Sequence, residues 1–213
     1  MPTPTDGLLF DVDGTLWNTV GPIAVSWNHA IRDEGLAFVI TPEILQREFG
    51  KTMAEIGEDV FPGIDAARRE ACLKRCIAYE DAALEKVGPE VLYPPVTATV
   101  RELARRLPLF IVSNCQKGYI ELFLEKSGLG DCFRDHECYG NTGLGKAANV
   151  RLLCERNRLT RPYYVGDTAM DAAACAEAGV PFVHAAYGFG KVDACAFSIA
   201  DFSELSALFC PLN

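Results

Sequence analysis

Apolar and polar positions divide the chain into two kinds of pattern. Leu8, Leu9 and Phe10 form a short apolar run ending at Asp11-Val12-Asp13-Gly14-Thr15, which predicts a buried strand delivering carboxylates to a glycine turn. From about 17 to 93 strand patterns all but vanish and helical spacing takes over. Helices are expected over 22–34, after the Thr41-Pro42 pair, and over 65–87, where Leu73, Ile77, Leu84 and Val87 recur opposite Arg and Glu. After Tyr93-Pro94-Pro95 strands alternate with helices. Strands are expected at 109–112, more weakly at 136–139, then at 163–165, 180–184 and 197–199; helices at about 116–127, 145–157, 168–177 and 202–209, with Gly128 and Gly179 as stops. This alternation predicts an α/β fold with a right-handed parallel sheet, interrupted after its first strand by an all-helical insertion.

Composition narrows the function classes. Hydrophobic residues make up 49% of the 213 residues and charged residues 23%, which argues against disordered and fibrous architectures. The length suggests one large domain, or one domain carrying a smaller insertion. With 20 Lys+Arg against 29 Asp+Glu the net charge is −9, which argues against binding to nucleic acid or an anionic membrane, because both need a basic face. A small anionic substrate remains compatible. The segment Met1-Pro2-Thr3-Pro4-Thr5-Asp6 lacks a basic leader pattern, and no run approaches the roughly 18 apolar residues of a membrane span, so a cytoplasmic location is expected. The nine cysteines are odd in number and dispersed, which reads as reduced thiols. Cys72 and Cys76 share one helical face without a second cysteine or histidine pair, so they read as core rather than zinc ligands.

Chemistry collects at three strand ends, where open parallel sheets bind ligands. Asp11 and Asp13, Ser113 and Asn114, and Gly166 and Asp167 stand there. Taken singly, each has an ordinary structural role as a turn or helix-cap residue. Together with Asp171 the acids form a concentrated group, and Lys146 opens a helix in the same half of the sheet. Carboxylates crowded together repel unless a cation lies between them, and hard oxygen donors suit Mg²⁺.

Asp11-Val12-Asp13-Gly14-Thr15-Leu16, Ser113-Asn114, Lys146, and Gly166-Asp167 with Asp171 resemble, in order and spacing, the four motifs of the haloacid dehalogenase superfamily, and the phosphoglycolate-phosphatase-like branch in particular. The resemblance covers the whole chain. It implies a Rossmann-like core of residues 1–16 and 94–213, with a helical cap at 17–93. It implies a Mg²⁺-dependent phosphatase acting on a small phosphorylated metabolite, either phosphoglycolate-like or a sugar phosphate, through an aspartyl-phosphate intermediate. Asp11 would be the nucleophile and Asp13 the general acid and base. Ser113 and the Asn114 amide would bind phosphoryl oxygens at a helix N-terminus, and Lys146 would neutralise transition-state charge. Gly14 and Thr15 would add backbone donors. The metal would be held by Asp11, the Asp13 carbonyl and Asp167, with Asp171 supporting Lys146 or the metal shell. The acid at Asp13 favours phosphoryl chemistry over carbon–halogen cleavage, since the dehalogenating members lack it.

Substrate choice is expected in the cap. The loop Gly50-Lys51-Thr52-Met53 is the candidate, with Lys51 as a site for a second anionic group or as a solvated lysine. A phosphomutase resembling β-phosphoglucomutase is the nearest alternative, although Met53 stands about where that enzyme has arginine. A Schiff-base phosphonate hydrolase using Lys51 and a catalytically silent binding protein are the others. Monomer and homodimer both remain open.

Overall fold

The computed structural model describes residues 4–210. Strands β1 (Gly7–Phe10), β2 (Leu109–Ser113), β3 (Phe133–Cys138), β4 (Pro162–Gly166), β5 (Phe182–Ala185) and β6 (Phe197–Ile199) form one sheet in the order β3-β2-β1-β4-β5-β6. Every pairing is parallel. β1, β2 and β4 are buried along their whole length, as a parallel strand covered on both faces requires. Their two-residue period sorts side chains between two cores. Leu8, Phe10, Ile111 and Val165 face one, and Leu9, Phe110, Val112 and Tyr164 the other.

The first core is closed by helices α5 (Val96–Ala104), α6 (Tyr119–Ser127) and α10 (Glu204–Phe209), through Val100, Phe123 and Leu205. The second, beyond the short helix α7 (Tyr139–Thr142) that follows β3, is closed by α8 (Lys146–Asn157) and α9 (Ala169–Ala178), through Val150, Leu153 and Cys175. The crossover from β1 runs to one side of the sheet and the later strands add on the other. A crevice therefore opens at the carboxyl ends of β1 and β4, where α/β sheets bind ligands.

Between β1 and α5 the chain is helical: α1 (Val20–Asp33), α2 (Pro42–Glu48), α3 (Met53–Val60) and α4 (Ala66–Leu84). Thr41 caps α2, its hydroxyl accepting from the Ile44 amide with Pro42 in the first turn. Asp65 caps α4 by accepting from the Arg68 amide at 3.0 Å. The buried face of α4 reads Cys72, Cys76, Glu80 and Leu84, four residues apart. All nine cysteines are free. The chain enters and leaves this helical segment side by side: the Asn18 amide donates to the Val91 carbonyl at 2.7 Å and the Tyr93 amide to the Leu16 carbonyl at 3.2 Å.

Two expected elements move. The strand expected at 136–139 occupies Phe133–Cys138 as an edge strand. Its polar residues mask it, because Asp135 and Glu137 serve as partners of Arg156 at 2.8 and 3.0 Å. The helix expected from about 116 starts at Tyr119, after Gly118 with φ 93°. Ser113 and Asn114 therefore end a strand and begin a loop, and the helix N-terminus expected at these residues lies several residues further on. Among the described residues no helix is long and apolar enough to cross a membrane.

Candidate active site

Asp11 directly follows β1, its amide donating to the Val165 carbonyl at 2.9 Å. Its side chain is buried beside Lys146, the first residue of α8, whose Nζ lies 3.1 Å from Asp11 Oδ1 and 2.5 Å from Asp171 Oδ1. The Asp11 contact is a charge pairing without hydrogen-bond alignment, so Asp11 Oδ1 has no hydrogen-bond partner. Asp171 is fixed by a capping box: its Oδ2 accepts from the Thr168 amide and hydroxyl at 3.0 and 2.7 Å, and its own amide donates to Thr168 Oγ1 at 3.1 Å. Asp167, just past β4, accepts from Thr15 Oγ1 at 3.2 Å and from the Phe189 amide at 2.7 Å. Carboxylate oxygens of Asp11, Asp167 and Asp171 lie within 4.8 Å of one another.

Three buried carboxylates thus face one ammonium. Burial pushes Asp11 up to about 7, the charges of Asp171 and Asp13 adding to the rise and Lys146 opposing it. Burial, then Asp171 and Asp11, push Asp167 up to about 8. Burial works to lower the Lys146 value, but the Asp11 and Asp171 charges outweigh it and hold the ammonium protonated. A hard divalent cation fits this donor set, since it would relieve the repulsion and Asp11 Oδ1 is a buried acceptor with no hydrogen bond to lose.

The Asp13 side chain stands outside this group. Its Oδ1 accepts from Tyr119 OH at 2.7 Å, Trp17 Nε1 at 2.9 Å and Thr19 Oγ1 at 3.2 Å. Burial nevertheless leaves its pKa above the ordinary value, with the three donors opposing the rise. Ser113 is buried at the end of β2, and Asn114 Nδ2 donates to the Gly50 carbonyl at 2.8 Å.

The backbone donors expected at Gly14 and Thr15 are used inside the turn: the Gly14 amide donates to the Trp17 carbonyl at 2.9 Å and the Thr15 amide to the Val12 carbonyl at 3.3 Å. That expectation is corrected here. Glycine at 14 answers to crowding and to its φ of +78°, since a Cβ there would lie 2.2 Å from Asp167 Oδ2. Thr15 instead acts through its hydroxyl on Asp167.

Asp13, Ser113 and Asn114 open onto a cavity of about 40 Å³ between the helical segment and the sheet, which Lys51 and Glu80 also line. The Lys51 ammonium is held by Glu48 and Asp59, each at 2.6 Å. Glu80, Gln116, Tyr119 and the Phe189 amide escaped the sequence reading. Glu80 had a signal, an acid at four-residue spacing from Cys72, Cys76 and Leu84. Phe189 had one too, in the Gly188-Phe189-Gly190 loop that follows a fourth strand end.

The chain matches the model of the haloacid dehalogenase-like hydrolases over residues 8–185. It belongs to that family. Among family members, it is 28% identical over 207 residues to a phosphoglycolate phosphatase of Vibrio vulnificus, covering 92% of this chain and 90% of that protein. It is 27% identical over 196 residues to a phosphoglycolate phosphatase of Agrobacterium fabrum, covering 86% and 82%. The fold also matches a haloacid dehalogenase-like hydrolase of Streptococcus pneumoniae with a TM-score of 0.83 at 17% identity, covering 98% of this chain and 100% of that one. CbbY of Rhodobacter sphaeroides, solved in complex with phosphate, matches with a TM-score of 0.78 at 15% identity, covering 94% and 96%.

Proposed function

We propose that this family member is a Mg²⁺-dependent phosphatase that hydrolyses a small phosphate monoester through an aspartyl-phosphate on Asp11, with residues 17–93 acting as a helical cap over a core of 1–16 and 94–213. The observation that carries the reading is Asp11 itself: a buried carboxylate, its Oδ1 without a hydrogen bond, beside the Lys146 ammonium and within reach of two further carboxylates. The phosphoglycolate phosphatase relatives support phosphoryl rather than carbon–halogen chemistry.

In this mechanism an Asp11 oxygen attacks phosphorus in line, and an O–P bond forms as the bond to the leaving oxygen breaks. Asp13 donates its proton to that oxygen. All three of its donors converge on Oδ1, so the proton belongs on Oδ2, and burial favours the protonated acid. Asp13 then takes a proton from the water that attacks the acyl-phosphate, releasing inorganic phosphate and restoring the Asp11 carboxylate. Lys146 neutralises charge on a phosphoryl oxygen, and the Ser113 hydroxyl and Asn114 amide hold others. Asp11, the Asp13 carbonyl and Asp167 would hold the metal, which when bound offsets repulsion between anionic nucleophile and anionic substrate. Asp171 positions Lys146 from its place in the capping box.

Phosphate release from a panel of phosphorylated metabolites, with and without Mg²⁺ and with Asp11→Asn beside the wild type, tests the proposal. Release that needs both the metal and Asp11 is expected. Isomer formation without net phosphate release would point to a mutase, and a silent panel with both proteins alike would leave a binding role.

A further inference from the structure

The cavity above the phosphoryl site carries a charge pattern that hydrolysis itself does not need. Glu80, on the buried face of α4, is only 4% exposed. Its Oε2 accepts from Trp27 Nε1 at 2.7 Å and its Oε1 from Gln116 Nε2 at 2.9 Å. Gln116 lies in the loop that follows Ser113, so Glu80 ties the helical segment to the phosphate side of the cavity. Each carboxylate oxygen keeps a lone pair beyond the bond it already accepts.

Unpaired positive charge is absent among the described residues that line it. Lys51 is the one cationic side chain among the described residues lining the cavity, and Glu48 and Asp59 already hold it. Trp27, Phe49, Met53 and Ile56 supply apolar walls. A second anion on the substrate would therefore lie near a buried carboxylate with no cation left to balance it, an arrangement that like-charge repulsion and desolvation both disfavour. A hydroxyl or ammonium would meet an acceptor already oriented by two donors. Size limits that group to a few heavy atoms, since the cavity of about 40 Å³ holds only a few waters at roughly 10–15 Å³ each, and leaves the choice among small groups to charge.

We propose that this cavity selects a small phosphate monoester whose leaving group bears a hydroxyl or ammonium and no second negative charge, and that Glu80 reads that group. The proposal rests on the phosphatase reading and deepens it. It also separates this chain from the substrate named for its curated relatives, because glycolate carries a carboxylate.

The test compares kcat and KM for glycerol 3-phosphate, O-phosphoethanolamine and 2-phosphoglycolate with Mg²⁺ at pH 8. Burial holds the Glu80 carboxyl up to about 7, so it is ionised there. Wild-type enzyme should favour the first two over phosphoglycolate by about tenfold or more in kcat/KM, a ratio that about 1.4 kcal/mol confers. The difference should lie mainly in KM. Glu80→Gln should shrink that ratio, chiefly by improving phosphoglycolate. Preference of the wild type for phosphoglycolate overturns the proposal without any variant, and so does an unchanged ratio in folded Glu80→Gln. p-Nitrophenyl phosphate, with Asp11→Asn as control, reports on the phosphatase reading separately. Hydrolysis of none of the four esters overturns that reading, and this one with it.

Discussion

Glu80→Gln should reverse the sign of its effect on stability between pH 5 and pH 8. The folded-state carboxyl, at about 7, lies above its ordinary 4.5 because burial raises it, while Gln116 and Trp27 donate to it and oppose the rise. Across that window the folded protein keeps a proton that the unfolded chain has released. Wild-type stability is therefore highest below the unfolded value, falls as pH rises through the window, and levels off above about 7. At about 1.4 kcal/mol per pH unit, the gap between the two values corresponds to about 3 kcal/mol. Glutamine has no charge to bury and loses that slope, but its amide nitrogen meets a donor at Trp27 or Gln116, which costs about 1 kcal/mol at either pH. The variant should be slightly less stable than wild type at pH 5 and more stable by about 2 kcal/mol at pH 8. Urea unfolding followed by circular dichroism, without metal, measures both differences. Asp11 and Asp167 titrate in both proteins and cancel. A wild-type-to-variant difference that is the same at both pH values would refute the reasoning, since it would mean that Glu80 ionises in the fold as readily as in the unfolded chain.

Lys146→Met should abolish phosphate release and, by leaving Asp11 and Asp171 buried without a counter-charge, lower stability by about 3–5 kcal/mol in urea; a loss under about 1 kcal/mol would show that the ion pairs are not needed. Tyr119→Phe removes the 2.7 Å donor to Asp13 Oδ1, an interaction with a charged group of about 1.5–3 kcal/mol. Losing a donor that lowers the Asp13 value raises it further, so the alkaline limb of kcat/KM should move to higher pH; an unmoved limb removes Asp13 as the acid. Mg²⁺ at a hundredfold excess over its Kd should raise stability at pH 8 by about 2.7 kcal/mol in thermal melts. It should do less at pH 5, where Asp11 and Asp167 must first lose protons. Asp167→Asn should remove the protection, and protection equal to wild type would place the ion elsewhere.

What the sequence revealed follows from what its patterns report. Runs such as Leu8-Leu9-Phe10 and Tyr163-Tyr164-Val165 are apolar because both sheet faces are covered, so the inner strands and the acids at their ends were legible. β3 was displaced because an edge strand needs only one covered face, and Asp135 and Glu137 read as loop while serving as partners of Arg156. Residues 116–118 read as the first turn of a helix because nothing in their composition announces that Gly118 takes a positive φ. In the site, Asp11, Asp167, Asp171 and Lys146 were found because charge at the end of an apolar run is conspicuous. Glu80 was not, because its four-residue spacing with Cys72, Cys76 and Leu84 on a long charged helix gains meaning only when packing shows that this face is inward. Lys51 could be located as a residue, but its pairing with Asp59 depends on a turn between α2 and α3 that only the folded chain supplies.

The paired crossings at 16–18 and 91–93 make the helical segment a graftable unit. Because the Asn18 amide meets the Val91 carbonyl and the Tyr93 amide meets the Leu16 carbonyl, everything between leaves and rejoins the sheet at a single doorway. Exchanging that stretch for another with equally close ends would leave strand order and register untouched, and the carboxylates after β1 and β4 in place. The demand on a replacement is an apolar underside, since Trp17, Leu92 and the inner faces of α1 and α4 share one continuous core with the sheet. Substrate preference could thus be exchanged as a cassette while the hydrolytic machinery beneath it stays fixed.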